Sequence, residues 1–323
     1  MFRRMFLVSC VMATMAVTSA HAQSDYPTRP IRMVVGFPPG GISDVLARAV
    51  AAEASTILGQ NIVVENRPGA GTTIAADFVA RAKPDGYTLL FQDTTTQAIN
   101  ASLYKNLPYD SLRDFTPVAL VSYTPLMLVV NANSPAHNVG ELMARMKAAP
   151  GKYSYGSSGS GTIIHLASEM MDRAAGVNAI HIPYKGSAPL VQAILSGEIE
   201  FAFSSMPPAI SQVQAGKLRA LAVSTPERIT VAPDVPTIAE AGEPAAEVTL
   251  YNGVLAPRDL PPAVLKKLNE AFAKAVQGER IKATYQSLGA VPMAVTPEQV
   301  YAQIKKDADR YAKVVAEIGV HAD

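Results

Sequence analysis

The stretch that decides the fold is Val34-Val35-Gly36-Phe37-Pro38-Pro39-Gly40-Gly41-Ile42-Ser43-Asp44. The apolar run 31–35 predicts a strand that stops at a turn rich in proline and glycine. Apolar residues then return at helical spacing, which predicts a helix directly after the turn. These positions are Leu46, Ala49, Val50 and Ile57. The segment therefore indicates a strand, a tight loop and a helix in direct succession.

This loop has the chemistry of an anion site. Ser43 or Asp44 can cap the helix by accepting hydrogen bonds from its first N–H groups. The remaining N–H groups and the positive end of the helix dipole face whatever lies beyond the loop. Gly40 and Gly41 lack a Cβ, so a ligand can come close to the backbone.

The same arrangement recurs about 120 residues later. A strand over 152–155 leads into Gly156-Ser157-Ser158-Gly159-Ser160-Gly161-Thr162, and a helix pattern starts at Ile163. Strands and helices alternate through most of the chain, which predicts an α/β fold with largely parallel sheets. Two such loops facing each other would hold an anion in a cleft between two lobes.

The first 22 residues have the pattern of a secretory signal peptide. Arg3 and Arg4 precede an apolar stretch, and small residues at 20 and 22 mark cleavage after Ala22. We therefore expect a periplasmic protein. Cys10, the only cysteine, lies in this segment, so the processed chain has no disulfide and no cysteine nucleophile.

Composition limits the partners of the processed chain. Without residues 1–22 its formal net charge is −1, which argues against nucleic-acid binding. No later apolar run reaches the roughly 18 residues that a membrane span needs. We expect lobe 1 over 23–123, lobe 2 over 124–250, and a return to lobe 1 over 251–323.

The candidate ligand-binding residues lie in glycine- and hydroxyl-rich loops, at strand ends or at the second crossing between the lobes. Their donors are hydroxyls and backbone N–H groups, which bind a carboxylate without burying a fixed positive charge. Phe37 and Tyr251 are candidates for stacking on the ligand body, with core packing as the alternative. The full set is Phe37, Pro38, Gly40, Gly41, Thr94, Thr95, Ser157, Ser160, Gly161, Thr162, Ser204, Ser205 and Tyr251.

Enzyme motifs are incomplete or missing in this sequence. It contains no phosphate-binding P-loop, no full dinucleotide loop and no nucleophile elbow. No two histidines have metal-ligand spacing, so we expect neither a metal nor a cofactor. A hydrolase using Ser157 or Ser160, with His165 as the base, is the enzymatic alternative. His165 otherwise holds its loop, and Lys185 is either a cleft cation or a solvated turn residue.

At these residues the chain resembles the periplasmic solute receptors of tripartite tricarboxylate transporters, the Bug family. The resemblance covers essentially the whole processed chain. It rests on ordered motifs at 26–31 (YPTRPI), 37–41 (FPPGG), 58–60 (LGQ), 64–71 (VENRPGAG), 83–90 (KPDGYTLL), 107–110 (LPYD), 159–162 (GSGT) with His165, 183–187 (PYKGS), 215–223 (AGKLRALAV) and 233–237 (PDVPT).

The resemblance implies a two-lobed periplasmic binding protein of type II that closes on a small carboxylate and delivers it to a membrane transporter. It points to Phe37, Gly40 and Gly41, and to Ser157, Ser160 and Thr162, as carboxylate-binding positions. We expect a monomer that is not an enzyme. A sensor input that docks on a signalling partner is the alternative function.

The chain departs from the family pattern in three places. Ser160 stands where many relatives have asparagine, and Tyr251 where many have tryptophan. Ser204-Ser205 replaces a frequent Asp-Asn pair, and the loss of that carboxylate argues against a ligand with an ammonium group. The family resemblance therefore leaves the ligand itself open, between di- or tricarboxylates and aromatic carboxylates.

Overall fold

The computed structural model describes residues 26–319 and 321 of the chain. The predicted signal peptide, residues 1–22, lies outside this range. Within it, no helix combines the length and the apolar character needed to cross a bilayer. The helices are α1 (Ile42–Leu58), α2 (Thr73–Ala80), α3 (Thr94–Leu103), α4 (Val139–Ala148), α5 (Ile163–Ala175), α6 (Ser187–Ser196), α7 (Met206–Gln214), α8 (Pro262–Ala275), α9 (Glu279–Ser287) and α10 (Pro297–Ile318).

The strands form two separate sheets, and each sheet is the centre of one lobe. The first sheet contains β1 (Ile31–Val35), β2 (Ile62–Asn66), β3 (Thr88–Asp93), β4 (Phe115–Thr124), β10 (Leu250–Pro257) and β11 (Val291–Pro292), in the order β11-β4-β10-β3-β1-β2. The second contains β5 (Leu126–Asn131), β6 (Ser154–Ser157), β7 (Ile180–Pro183), β8 (Phe201–Ser205) and β9 (Leu218–Val223), in the order β7-β6-β8-β5-β9.

The prediction of largely parallel sheets was wrong, because both sheets are mixed. Strands β1, β2 and β3 run parallel, but β10 returns from the second lobe and inserts antiparallel between β3 and β4. In the second sheet, β6 is parallel to β7 and β8, whereas β5 runs antiparallel to β8 and β9. The inserted strand follows from a chain that crosses between the lobes more than once.

The cores of both lobes are built on buried strands. Phe91 on β3, and Phe201 and Phe203 on β8, are fully buried. Burial of such a side chain stabilises the fold by roughly 1.5–3 kcal/mol relative to exposure. The helices cover the faces of these strands, so the strand ends are the places where backbone and polar side chains reach the space between the lobes.

The parallel strands place several helix starts on one side of each sheet. In the first lobe, β1 leads through a short loop into α1, and β3 leads directly into α3. In the second lobe, β6, β7 and β8 lead into α5, α6 and α7. The carboxyl ends of parallel strands meet at the same sheet edge, where ligands of open α/β sheets bind.

One predicted loop is a helix instead. The candidate residues Thr94 and Thr95 were expected in a hydroxyl-rich loop at a strand end, but α3 starts at Thr94. Asp93 is the cause, because its side chain accepts hydrogen bonds from the N–H groups of Thr95 and Thr96 and so caps the helix.

Candidate functional site

One cavity lies between the two lobes, where the loops after β1, β6 and β7 meet. The space in it that a water-sized group can occupy is about 40 Å³. Of the residues predicted from the sequence, five line it, and both lobes contribute to this set. They are Phe37, Pro38, Gly41, Thr162 and Ser205.

The starts of five helices converge on this cavity. Because each helix start carries free N–H groups and the positive end of the helix dipole, together they favour a bound anion. Lys185 also lines the cavity, from the turn before α6. The lining residues at the helix starts are Ile42 of α1, Asp93 before α3, Ile163 of α5, Ser187 of α6 and Ser205 before α7.

Two hydroxyls in the cavity wall have no hydrogen-bond partner among the described residues. They are the Oγ atoms of Ser43 and Ser205, whose residues are only 1% and 2% exposed. Both residues line the cavity, from opposite lobes. A buried hydroxyl without a partner is costly, so these two groups point to a ligand that bonds to them.

The loop between β1 and α1 is held by Asp44 and Asn66. Asp44 Oδ2 accepts from the N–H of Gly40 at 3.0 Å, and Asn66 Nδ2 donates to the carbonyl of Phe37 at 3.0 Å and to Asp44 Oδ1 at 2.8 Å. Burial alone raises the pKa of Asp44, but hydrogen bonds from Arg48, Gly40 and Asn66 outweigh it and lower the pKa. Asp44 is therefore a fixed anion that orders the loop from behind.

The loop between β6 and α5 is held by Thr162 and His165. Thr162 Oγ1 donates to the carbonyl of Gly159 at 2.9 Å and also caps α5. The N–H of Gly161 donates to His165 Nδ1 at 3.2 Å. The interpretation of His165 as a residue that holds its loop is confirmed by this bond.

The two lobes touch each other around the cavity. The N–H of Ile163 in the second lobe donates to Thr96 Oγ1 in the first at 3.4 Å. A Cβ placed on Gly186 would meet the Pro38 ring at 3.4 Å, so these two residues lie in contact. The structure is therefore a closed form, in which residues of both lobes line one site.

Ser157 belongs to a histidine cluster and not to the cavity wall. Its Oγ lies 2.7 Å from Nε2 of His181, and the rings of His165 and His181 stack with centroids 3.9 Å apart. Burial lowers the pKa of His181 to about 4, and burial together with the charge of His181 lowers that of His165 to about 3. Both rings are therefore neutral at neutral pH.

This cluster corrects the enzymatic alternative. The sequence offered His165 as the base, but the parallel pairing of β6 and β7 brings His181 to Ser157. Ser157 is fully buried and does not line the cavity. Among the described residues, no acid orients His181, so the Ser–His pair lacks the third group and the substrate access that a hydrolase needs.

Asp93 is a cavity residue that the sequence reasoning missed. It is 1% exposed, and burial raises its pKa to about 6, although hydrogen bonds from Thr96 and Thr95 lower the pKa and the charge of Asp307 raises it. The first lobe thus places a carboxyl group in the cavity. The argument against an ammonium-bearing ligand, drawn from Ser204-Ser205, loses its basis.

The other predicted residues lie behind or beside the cavity. The hydroxyl of Thr94 donates to the carbonyl of Tyr251 on β10, and that of Thr95 donates to the carbonyl of Thr249, just before β10. Ser160 lines an outer pocket that shares Phe37 and Pro38 with the cavity. The rest take part in contacts outside the lining: Gly40 bonds to Asp44, Gly161 packs on Leu103, Ser204 bonds to the carbonyl of Ser205, and Tyr251 lines a groove at the crossing between the lobes.

Comparison with known sequences identifies the family. A family model described as "Tripartite tricarboxylate transporter family receptor" matches residues 46–320. The chain belongs to this receptor family. Protein BugT of Bordetella pertussis is 36% identical over 320 residues, which cover 99% of this chain and 98% of that protein.

Solved structures agree in fold over nearly the whole chain. One is Rpa4515 of R. palustris with adipate, with a TM-score of 0.87 and 33% identity, covering 92% of this chain and 99% of that one. Another is MatC of Rhodopseudomonas palustris with bound malate, with a TM-score of 0.85 and 31% identity, covering 90% of this chain and all of that one. Both of these relatives hold a dicarboxylate.

Proposed function

We propose that this protein is a periplasmic receptor that binds a small organic carboxylate between its lobes and delivers it to a membrane transporter of the tripartite tricarboxylate type. The observation that carries the proposal is the convergence of five helix starts on one interlobe cavity. The malate and adipate of the two relatives support the ligand class. The predicted signal peptide supports the location.

The proposed lobe boundaries, at 123/124 and 250/251, fit this mechanism. Pro125 separates β4 of the first sheet from β5 of the second, and β10 begins at Leu250 on the way back. Rotation about these two crossings would open the cavity to admit a ligand and close it again. The closed form, in which both lobes present one continuous surface, is then the form that docks on the transporter.

Binding is tested by thermal unfolding of the purified protein, first denatured and refolded to remove bound metabolites. The probes are benzoate, malate, adipate and citrate. A probe at a hundred times its Kd stabilises the native state by about 2.7 kcal/mol, which raises the midpoint by several degrees. If none of the four raises the midpoint, the carboxylate proposal is rejected.

Substitution of Ser43 and Ser205 by alanine separates binding from stability. Each change removes a hydroxyl that has no partner in the described chain, so the unliganded protein should be as stable as before. Each should weaken the binding of the stabilising carboxylate by about three- to tenfold, the value of one hydrogen bond. Calorimetric titration measures both affinities.

Ser168→Ala is the matched control for these two variants. Ser168 is fully buried on α5 and does not line the cavity, and its hydroxyl donates to the carbonyl of Ile164. Its loss should lower stability and leave affinity unchanged. The reverse pattern, with affinity lost only in Ser168→Ala, would contradict the assignment of the cavity.

Delivery to a transporter predicts a transport defect. Cells that lack this chain should lose uptake of the carboxylate that stabilises the protein, and they should regain it when the wild-type chain is supplied. Uptake of the labelled acid, measured at concentrations near the Kd, checks this. Unchanged uptake would contradict delivery while leaving the binding result intact.

A further inference from the structure

The cavity proposed to bind a carboxylate already contains a carboxyl group of the protein. Asp93 lines the cavity at the start of α3 and is almost completely buried. Its oxygens accept from the N–H groups of Thr95 and Thr96 and from Thr96 Oγ1, at 2.5–3.2 Å. These bonds fix the carboxyl group in place, so it cannot turn away from an anion that enters.

The charges around Asp93 offer no compensating ion pair. Asp307 and Tyr311 face Asp93 from α10, and Tyr251, which belongs to β10, lies near Asp307. His165 on α5 is neutral, and Arg310 bonds to the carbonyl of Glu247. Lys185 lines the cavity from an exposed turn and is not bonded to Asp93 in the described chain. The titratable neighbour whose charge acts on Asp93 is thus a second buried acid, Asp307.

Two carboxylates in a site with little water cannot both remain ionised next to each other. An arriving anion therefore either stays away from Asp93 or is bound with a proton between the two groups. The unpartnered hydroxyls of Ser43 and Ser205, in the wall that Asp93 also lines, place the anion inside the cavity. The second outcome is the one that these contacts favour.

We propose that Asp93 takes up one proton from solvent when an organic carboxylate enters the cavity, so that this protein binds the anion together with a proton. The proposal rests on the proposed function and adds a binding residue to it. The proton forms an O–H bond on Asp93, and this hydroxyl donates a hydrogen bond to a ligand oxygen. The ligand stays fully ionised, and no other bond forms or breaks.

The titration of Asp93 places this exchange in an accessible range. Burial raises the pKa of the free carboxyl to about 6, and a neighbouring ligand anion raises it further. Below about pH 6 the proton is already present, so the titration of Asp93 no longer changes the affinity. Above it, affinity should fall by up to tenfold per pH unit, until the pKa of the bound form is passed.

The experiment is calorimetric titration of the refolded protein with malate, adipate, citrate and benzoate at pH 5, 6, 7 and 8. Malate, adipate and benzoate are essentially ionised above about pH 6, so these probes change little in the informative range, whereas the third carboxyl group of citrate titrates within it and citrate serves for comparison only. Repeating the pH 7 titration in two buffers with different heats of ionisation counts the protons taken up. We expect at least a tenfold loss of affinity from pH 6 to pH 8, and net proton uptake at pH 7.

Asp93→Asn and Asp172→Asn are the paired variants. The amide that Asp93→Asn introduces can donate its hydrogen bond at any pH, so the affinity of this variant should change less than threefold between pH 6 and pH 8. Asp172 is also buried, with a pKa that burial raises to about 6, but it lies outside the cavity. Asp172→Asn should therefore keep the pH dependence of the wild type. Thermal unfolding without ligand confirms that both variants fold.

Each alternative outcome has a distinct meaning. Binding by the wild type that is independent of pH and takes up no proton overturns the proposal and leaves the receptor function intact. Loss of binding at every pH in Asp93→Asn also overturns it, because Asp93 would then act as an ionised partner for a cationic ligand group. If no probe binds to the wild type at any pH, the receptor proposal and this one fall together.

Discussion

Gly161→Ala is expected to weaken carboxylate binding by about tenfold or more while leaving the unliganded protein folded. Gly161 lies in the loop between β6 and α5, with a φ of +80°. An added Cβ would lie 1.9 Å from Cδ2 of Leu103, which belongs to α3 of the other lobe. This clash exists only when the lobes are closed, and moving the end of the Leu103 side chain out of the way should oppose closure by roughly 1–3 kcal/mol.

Gly151→Ala is the matched control for Gly161→Ala. Its φ is +70°, so alanine suffers the same backbone strain, but nothing lies within 4 Å of the added Cβ. Both variants should lose a similar amount of stability without ligand, and only Gly161→Ala should lose binding. Thermal unfolding with and without the stabilising carboxylate measures both effects.

A second variant tests whether Leu103 is the obstacle. Leu103→Ala combined with Gly161→Ala removes the clashing methyl group and should restore part of the binding. The buried Leu103 also contributes to the core, so the double variant is less stable, and stability is measured separately. Wild-type affinity in Gly161→Ala would show that the lobes bind ligand without this contact.

The sequence predicted the features that local chemistry determines. The loops after β1 and β6 follow apolar strands and contain glycine and proline, and these signals place two helix starts without any knowledge of the rest of the chain. The two-lobed architecture was predicted correctly for the same reason. Local signals cannot show that β10 returns antiparallel between β3 and β4, because that pairing joins residues more than 120 positions apart.

The predicted site is less complete because side-chain partners come from distant elements. Three consecutive threonines have low helix propensity, so the start of α3 and the position of Asp93 were missed. The available signal was Asp93 itself, a preferred helix-capping residue. The hydroxyls of Thr94 and Thr95 donate to the carbonyls of Tyr251, on β10, and Thr249, just before β10. The sequence does not show that β10 lies beside α3, so these contacts could not be predicted from it.

His165→Gln is expected to change the pH dependence of stability by about 2 kcal/mol between pH 7 and pH 5. Burial holds the pKa of His165 at about 3 in the folded protein, below the usual value of about 6.5. As pH falls through 6.5, His165 binds a proton in the unfolded chain but not in the folded protein. The contribution of His165 to stability is therefore fully present above pH 6.5 and is lost progressively towards pH 3.

Three buried acids have the opposite effect on stability, because they stabilise the folded protein as the pH falls from about 6 to about 4. The pKa values of Asp93, Asp172 and Asp307 are raised to about 6, so the folded protein binds their protons before the unfolded chain does. Their contribution to stability grows as pH falls from about 6 to about 4. The free energy of unfolding of the wild type therefore changes less with pH than His165 alone or the three acids alone would make it change. Single variants are needed to separate these contributions.

The measurement is the free energy of unfolding by urea from pH 7 to pH 5 for the wild type, His165→Gln and Asp172→Asn. Relative to the wild type, the His165→Gln curve should rise on acidification and the Asp172→Asn curve should fall. Three parallel curves would contradict the assigned pKa shifts. The glutamine side chain of the first variant can still accept from the N–H of Gly161, so the loop contact need not be lost at neutral pH.

Protonation of His165 also affects ligand binding. The N–H of Gly161 donates to Nδ1 of His165, so the ring carries its proton on Nε2, which lies 3.7 Å from Glu169 Oε1. Protonation of Nδ1 removes this acceptor and places a charge against the stacked ring of His181. The loop before α5 should therefore loosen at a pH well below the range in which Asp93 titrates. Because the probes themselves take up protons below about pH 6, the loss of affinity is measured as the ratio of the wild-type affinity to that of His165→Gln. This ratio should be constant from pH 6 to pH 5 and fall only near pH 4.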